Sequence, residues 1–193
     1  MSETKENKVQ FNLKNVHYAL PTSDGGWGTP VHVPGAVTLT LDPQGEVTPF
    51  YADGIVYYNS VSNNGYSGNL DMAKFPDQMQ KDIWKCEETD DGVMIENSNV
   101  EPSSFALLYQ IDGDVNNDYF CLYNCTGTRP GIGSTTNTST KDPQTKSSTI
   151  SAVPLENGRV LARTTANTTA EVKANWFKSV YVKPETTEET TEE

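Results

Sequence analysis

Cationic side chains are scarce in this sequence of 193 residues. Lys and Arg together number 14, against 26 Asp and Glu, so the formal net charge is −12 at neutral pH. Surfaces that grip nucleic acid need clustered cations to displace phosphate counterions, and anionic membranes attract the same groups. The charge therefore argues against a protein that binds DNA, RNA or an anionic bilayer.

Long apolar runs are missing as well. "FALLY" (residues 105–109) is typical of the longest, far short of the roughly 20 residues that span a bilayer. The first residues, "MSETKENKVQFNLK", contain no apolar stretch of the kind a secretory signal carries. We expect a protein without membrane contact that is made in a cytoplasm.

Cysteine and histidine are too few and too scattered for obvious chemistry. Cys86, Cys121 and Cys125 are an odd number without a CxxC pair, which favours thiols packed in a reducing compartment. His17 and His32 lie in "NVHYAL" and "PVHVPG", and we interpret them as surface or packing residues. No phosphate-loop, dinucleotide, serine-hydrolase or zinc-protease motif occurs. The sequence predicts a protein that is not an enzyme, with no catalytic residue and no cofactor.

One polar loop imitates a calcium site. In "DGDVNNDYF", Asp114, Asn116 and Asp118 match positions 1, 3 and 5 of a calcium-binding loop. That loop needs Gly at position 6 and a bidentate carboxylate at position 12, and here these are Tyr119 and Cys125. We predict a tight polar turn and no metal site.

Period-two patterning dominates and predicts a mainly β fold. "VTLTL" (37–41) alternates apolar residues with Thr, and "DPQG" is typical of a turn after it. "EVTPFYADG" and "IVYYNSV" follow as strands, and "SFALLYQI" with "YFCLYNC" predicts a hairpin. "STISAVPL" (148–155) and "RVLART" (159–164), joined by "ENG", predict a second hairpin, because an Asn-Gly pair suits a two-residue turn. "SVYV" is interpreted as a closing strand.

One stretch has helical rather than strand spacing. In "FPDQMQKDIWKC", Pro76 suits the first helical turn and Asp77 the positive end of the helix dipole. Met79 and Ile83 are four residues apart, with Phe75 and Trp84 nearby, so we predict a helix over 76–85 that packs these four side chains on a sheet. A second short helix is predicted around 171–178.

A long polar arm interrupts the strands. Residues 126–149, "TGTRPGIGSTTNTSTKDPQTKSST", contain 12 Ser or Thr out of 24 and Ile132 as their single aliphatic residue. Unstructured loops of more than about 12–15 residues are uncommon in compact domains and are usually functional or disordered. Both chain ends are polar too, and 184–193 holds five Glu. We predict a flexible segment 1–8, a domain 9–183 carrying the arm, and a disordered acidic tail 184–193.

The order of these features resembles one known family. The "YAD" strand (51–53), the helix, "FALLYQ", "YFCLYNC", the arm and the segment "PQT…ISAVPL.NGRV" (143–160) follow one another as in the major tail proteins of long-tailed phages of Gram-positive bacteria. These proteins are the subunits of the tail tube. The resemblance covers residues 8–183 and rests on order and pattern, since none of these segments is a catalytic signature. The Glu-rich tail departs from it.

The resemblance implies a β-sandwich with a flanking helix that assembles into stacked, hexameric rings. The chain would be a virion protein, made in the host cytoplasm, whose partners are its own copies and other tail proteins such as the tape measure and the terminator. DNA would pass through the tube without specific binding, which an acidic lumen favours because it does not retain phosphates. The arm would touch a neighbouring subunit, with these candidate residues: Arg129, Pro130, Thr135, Thr136, Lys141, Asp142 and Lys146.

Two other interpretations stay open. A β-sandwich that recognises carbohydrate or a host surface could use the nine Tyr and three Trp as stacking platforms. A different tail component with a related fold, such as a terminator, would form a single ring and stop there.

Overall fold

The computed structural model describes residues 5–136, 139 and 142–184. Most of these residues lie in strands, with two short helices. The strands are β1 Gln10–Ala19, β2 Val31–His32, β3 Ala36–Gln44, β4 Val47–Ala52, β5 Ile55–Val61, β6 Gly65–Met72, β7 Glu87–Glu88, β8 Met94–Ile95, β9 Phe105–Gly113, β10 Asn117–Gly127, β11 Lys146–Ala152 and β12 Leu161–Arg163. The helices are α1 Asp77–Trp84 and α2 Ala170–Asn175.

One antiparallel sheet forms the body, in the order β2-β1-β9-β10-β11-β6-β3, with β12 also paired to β10. β2 and β3 lie at opposite ends of this order, although only three residues separate them. Between them Val33 N donates to Val16 O, and Gly35 O accepts from Ala73 N, both at 2.8 Å. The chain therefore crosses from one end of the sheet to the other, and the sheet curls around a core. The predicted fold class, a mainly β and sandwich-like domain with a flanking helix, is confirmed.

The central strand β9 is buried on both faces. Phe105 and Leu107 belong to the main core cluster, whereas Ala106 and Leu108 belong to a second cluster on the other face. Period-two geometry sends alternate side chains to opposite faces, so each cluster needs its own cover. The main cluster packs against α1, and the second lies against the C-terminal segment that carries Trp176 and Val180.

Helix α1 supplies one wall of the main cluster. The four predicted packing residues, Phe75, Met79, Ile83 and Trp84, are each at most 3% exposed. The rings of Phe75 and Trp84 meet edge to face with centroids 5.6 Å apart. The predicted helix 76–85 is longer than the observed one by a residue at each end: Pro76 has extended backbone, and Lys85 ends the helix in the left-handed region.

The predicted "ENG" hairpin is wrong in its strand pairing. The turn does form, since Gly158 N donates to Leu155 O and Gly158 has a φ of +75°. However, β11 and β12 do not pair with each other; they pair in succession with the same side of β10, at residues 125–127 and 120–122. Residues 153–160 are an excursion from one interrupted strand, because the ladder of β10 competes successfully with the local turn.

Two other local predictions are corrected. Asp42, Pro43 and Gln44 continue β3 rather than forming a turn, because β6 extends alongside them. "SVYV" is not a strand: residues 179–182 contribute side chains to the second cluster and accept a hydrogen bond from Tyr123 Oη at Tyr181 O, 2.7 Å. The predicted second helix is present but shorter, as α2.

Candidate assembly surface

Strands β3 to β6 form one long hairpin that extends beyond the body. The ladder runs from Ala36 opposite Met72 to Ala52 opposite Ile55, and Ser62 N and Asn64 N carry it across the junction. Its outer half, β4 and β5 with the turn at Asp53 and Gly54, is called here the distal hairpin. Asp53 and Gly54 have φ of 53° and 77°, as a two-residue primed turn requires.

Both faces of the distal hairpin are apolar and exposed. Directly paired residues share a face, so the register places one set on each side. The first face carries the pairs Phe50 with Tyr58 and Ala52 with Ile55. The second carries the pairs Val47 with Val61 and Tyr51 with Val56, whereas Tyr57 is the extra residue of a bulge; Tyr57 and Val61 are 72% and 73% exposed. Within the part of the chain that the structure describes, no helix or strand covers either face.

A hairpin with two exposed apolar faces is unusual in a monomeric protein. A two-stranded ribbon is marginally stable at best in water, and contiguous apolar patches of this kind mark interaction sites or aggregation hazards. The ribbon also presents two outer strand edges with unpaired backbone groups. These features together define a candidate assembly surface.

The Asp-Gly pair between two β-rich runs is the sequence signal for this hairpin, and it is of the same kind as the Asn-Gly pair of "ENG". The exposure of both faces of the distal hairpin has no comparable signal in the sequence. The sequence pattern of an apolar strand is the same whether its side chains are buried by the same chain or by a neighbouring one.

The first residues of the arm are attached to the domain by hydrogen bonds and one ion pair. β10 extends to Gly127 and β11 begins at Lys146, so the irregular part is 128–145, shorter than the predicted 126–149. Thr128 N donates to Thr149 O, and Gly131 N donates to Ser147 O. Arg129 lies 2.8 Å from the Glu96 carboxylate through Nε, and its Nη2 donates to Asn97 O. The arm base is therefore tied to the loop after β8.

The remaining arm candidates are mostly exposed. Thr135 exchanges hydrogen bonds with the side chain of Gln144, which brings the two limbs of the arm together. Thr136 and Asp142 are exposed, Pro130 and Lys146 are half-buried, and Ile132 is 97% exposed. Lys141 lies outside the described residues, as do residues 1–4 and 185–193 of the predicted terminal segments.

The arm and helix α1 meet, although the sequence suggested no link between them. Trp84 Nε1 donates to Gly127 O over 2.9 Å, in a fully buried position. Between the two elements lies a groove of about 470 Å³, called here the arm groove. Its lining includes Phe75, Trp84 and Cys86 from α1 and its flanks, together with the arm residues Pro130 and Ile132.

The calcium-like loop is occupied by the N-terminal segment. Asp114 Oδ1 accepts from Lys8 N, and Asp118 Oδ2 accepts from the amides of Asn7 and Gln10. Hydrogen bonds begin even at Lys5, within the segment 1–8 predicted to be flexible. Among the described residues no group of three or more His, Cys, Asp and Glu is placed to hold a metal ion.

The two histidines form a small stack at one sheet edge. His17 lies opposite His32 across β1 and β2, with ring centroids 4.9 Å apart, and it stacks on Phe177 at 4.6 Å. His17 Nδ1 donates to Asn15 O at 2.7 Å, since a carbonyl can only accept. Burial lowers the pKa of His17, and the neighbouring His32 lowers it further against the raising effect of that hydrogen bond.

The cysteines offer little nucleophilic chemistry. Burial raises the pKa of Cys121 to about 12 and raises that of Cys125 further, so both stay as thiols at neutral pH. Cys86 is partly exposed in the arm groove.

The chain matches no protein-family model and no curated protein sequence. In the portion that the structure describes, neither helix has the length and apolar character needed to cross a bilayer.

Proposed function

We propose that this chain is a structural subunit of a phage tail tube, which assembles with copies of itself into stacked rings. The distal hairpin carries the proposal, because its two apolar faces and two open strand edges need a partner. Strand addition along such edges is a general route for association. The resemblance to major tail proteins supplies the ring and tube architecture.

The double-sided hairpin favours an extended assembly over a closed dimer. A two-fold dimer would cover one face of the ribbon with its equivalent and leave the other face in water. Heterologous contacts place a different neighbour on each face, and such contacts close into rings or continue as open stacks. A ring that also stacks provides both kinds of neighbour.

The net charge of −12 supports passage of DNA without retention. Phosphate contacts with cations dominate the affinity of proteins for duplex DNA, and an acidic wall provides few of them. We expect assembled protein to pass through a duplex-DNA column unretarded at moderate salt.

The proposal is tested by imaging the purified full-length chain with and without its apolar hairpin faces. Phe50→Thr with Tyr58→Thr changes one face, and Val47→Thr with Val61→Thr changes the other, because each pair is directly opposed in the register; Thr keeps the β preference of the strands. We expect rings or tubes from the natural chain in negative-stain electron microscopy and monomers from both variants. Val93→Thr with Val115→Thr is the matched control, because these side chains are 56% and 52% exposed away from the hairpin.

A natural chain that stays monomeric at high concentration over a range of salt would contradict the proposal. So would tubes of unchanged form from both face variants. Circular dichroism and thermal unfolding establish that each variant folds.

A carbohydrate-binding module is the second candidate, and the exposed tyrosines of the hairpin favour it. Tyr51, Tyr57 and Tyr58 are each at least 63% exposed and could stack on sugar rings. Trp84 and Trp176, by contrast, are buried and cannot act as platforms. Binding of cell-wall polysaccharide by a monomeric chain, lost in the variant that carries Phe50→Thr and Tyr58→Thr, would favour this function over assembly.

A further inference from the structure

We propose that the tip of the distal hairpin of one copy docks into the arm groove of the next copy, which joins the copies head to tail. This inference rests on the proposed self-assembly and specifies which two surfaces meet. It assigns a ligand to the arm groove: an acidic, apolar β-turn from a second copy of this chain.

The arm groove has the lining expected of a binding site for such a turn. Its lining includes the aromatic and apolar side chains of Phe75, Trp84 and Pro130. Its volume of about 470 Å³ lies in the range of pockets that hold compact ligands. Ile132, nearly fully exposed on the arm, stands at the groove as an apolar side chain without cover from its own domain.

Charge distinguishes the two surfaces. The sequence contains no Lys or Arg from Asn15 to Ala73, a stretch that includes the whole long hairpin and places Asp53 at its tip. In contrast, Lys74, Arg129 and Lys146 line the arm groove, against the single carboxylate of Glu96. In a chain with only 14 cationic residues, this is a local concentration of positive charge, and complementary charge favours encounter and orientation of two surfaces.

Not all of this positive charge is neutralised within the chain. Arg129 pairs with Glu96, and the exposed Lys74 pairs with Asp77 at 3.3 Å. Lys146 makes no ion pair among the described residues, and it lies half-buried at the groove. Asp53 likewise has no ion-pair partner in that part of the chain. A second copy would bring these two groups together.

The positions of tip and groove require the contact to be between copies. Lys74 and Phe75 lie two and three residues after Met72, which pairs with both Ala36 and Lys146 at the base of the long hairpin. The tip is at the other end of the same ladder, 16 residues along the strand, which is up to about 50 Å at 3.3 Å per residue. Because the two surfaces lie at opposite ends of one element, tip-to-groove docking stacks copies in one direction.

Cysteine chemistry provides a direct test, since Cys86 lines the arm groove. In Ile55→Cys, the new thiol flanks the tip, and under mild oxidation it should form a disulfide with Cys86 of the next copy. The expected result is a ladder of dimers, trimers and higher species on a non-reducing gel. Ile55→Cys combined with Cys86→Ser is the control: it retains one partner thiol and can give dimers only.

Protection of Cys86 in the natural chain is the second readout. We expect a bulky maleimide to label Cys86 in monomers, prepared from the Phe50→Thr, Tyr58→Thr variant, and to lose that labelling in assemblies. Buried Cys121 and Cys125 serve as internal controls that remain unlabelled in both.

The outcomes separate the two proposals. Tip-to-groove docking would be overturned, while self-assembly stands, if Cys86 were labelled in assemblies as strongly as in monomers. It would also be overturned if trimers and higher disulfide-linked species still formed after Cys86→Ser. A natural chain that forms no assembly at all would overturn the proposed function itself.

Discussion

Trp84 joins three parts of the molecule through one side chain. Its ring packs against Phe75 inside the main cluster, and its indole N–H donates to the carbonyl of Gly127, where β10 ends and the arm begins. A buried carbonyl that loses its donor is left without compensation for its desolvation. Trp84 therefore both fills the core and positions the arm base beside α1.

The substitution Trp84→Phe should destabilise the protein by about 2–4 kcal/mol. Losing the donor to Gly127 O costs about 1–3 kcal/mol, and the smaller ring leaves a partial cavity that adds to this. Urea unfolding followed by circular dichroism measures the effect. Trp27→Phe, at a half-buried ring, is the matched control. Equal stability losses in the two variants would contradict the role of the indole bond.

Tyr18 and Asp82 make a second link between the sheet and α1. Tyr18 Oη donates to Asp82 Oδ2 over 2.5 Å, and burial together with this carboxylate raises the pKa of Tyr18. The tyrosine therefore stays protonated and remains a donor at neutral pH. α1 is thus held by polar contacts as well as by its apolar stripe.

At the scale of elements, the β1–β2 edge is where the rings of His17 and His32 meet. His17 is packed between His32 and Phe177, and its pKa is lowered from 6.5, chiefly by burial. In the unfolded chain the same imidazole titrates near 6.5. Between these two pKa values the unfolded state binds more protons than the folded state, so the free energy of unfolding falls as the pH falls.

The substitution His17→Phe should flatten the stability profile between about pH 7 and pH 5, because the stacked ring no longer titrates. Thermal unfolding at a series of pH values measures this. His32→Gln should keep most of the slope, since burial and not His32 is the largest cause of the shift. A profile for His17→Phe as steep as that of the natural chain would show that other groups govern it.

The arm can be shortened without touching the strands. Removing 127–146 would cut the end of β10, the acceptor of the Trp84 bond and the start of β11. Replacing only residues 132–143 with a short Gly-Ser linker spares these and also keeps the Arg129–Glu96 pair.

We expect the shortened chain to unfold at nearly the same temperature, because the described residues of the excised stretch are exposed. Assembly should be lost or limited to short pieces, because the stretch includes Ile132, which lines the arm groove. Calorimetry and negative-stain microscopy provide the two readouts. Cylinders of normal length from the shortened chain would show that the arm has no part in assembly.

At the scale of the whole molecule, electrostatic repulsion opposes association. Every copy carries a formal charge of −12, so neighbours repel at distances beyond the contact itself. Salt screens charges over a Debye length of about 10 Å at 0.1 M, while it leaves apolar burial in place.

We therefore expect assembly to increase as sodium chloride is raised from about 50 to 500 mM, because the Debye length shortens over that range. Sedimentation velocity at fixed protein concentration measures the assembled fraction. The face variants of the hairpin should stay monomeric throughout, which separates specific association from salting out. Assembly that falls steadily with salt would mean that attraction between charges, and not apolar contact, dominates.

Several features followed from the sequence because they depend on neighbouring residues. The mainly β class, the β9–β10 hairpin and the buried stripe Phe75, Met79, Ile83 and Trp84 are set by side-chain periodicity, which acts over a few residues. The polar turn at Asp114 to Asp118 follows from the same local chemistry.

Other features were decided only when distant strands competed for partners. The "ENG" turn forms as its residues require, yet β11 and β12 pair with β10, because a central strand offers a longer ladder than the turn does. Likewise the exposure of the distal hairpin and the meeting of arm and α1 depend on which elements happen to cover which faces. The chemistry of a side chain determines whether its burial away from water is favourable. The tertiary structure determines whether the residues that bury it belong to the same chain or to another.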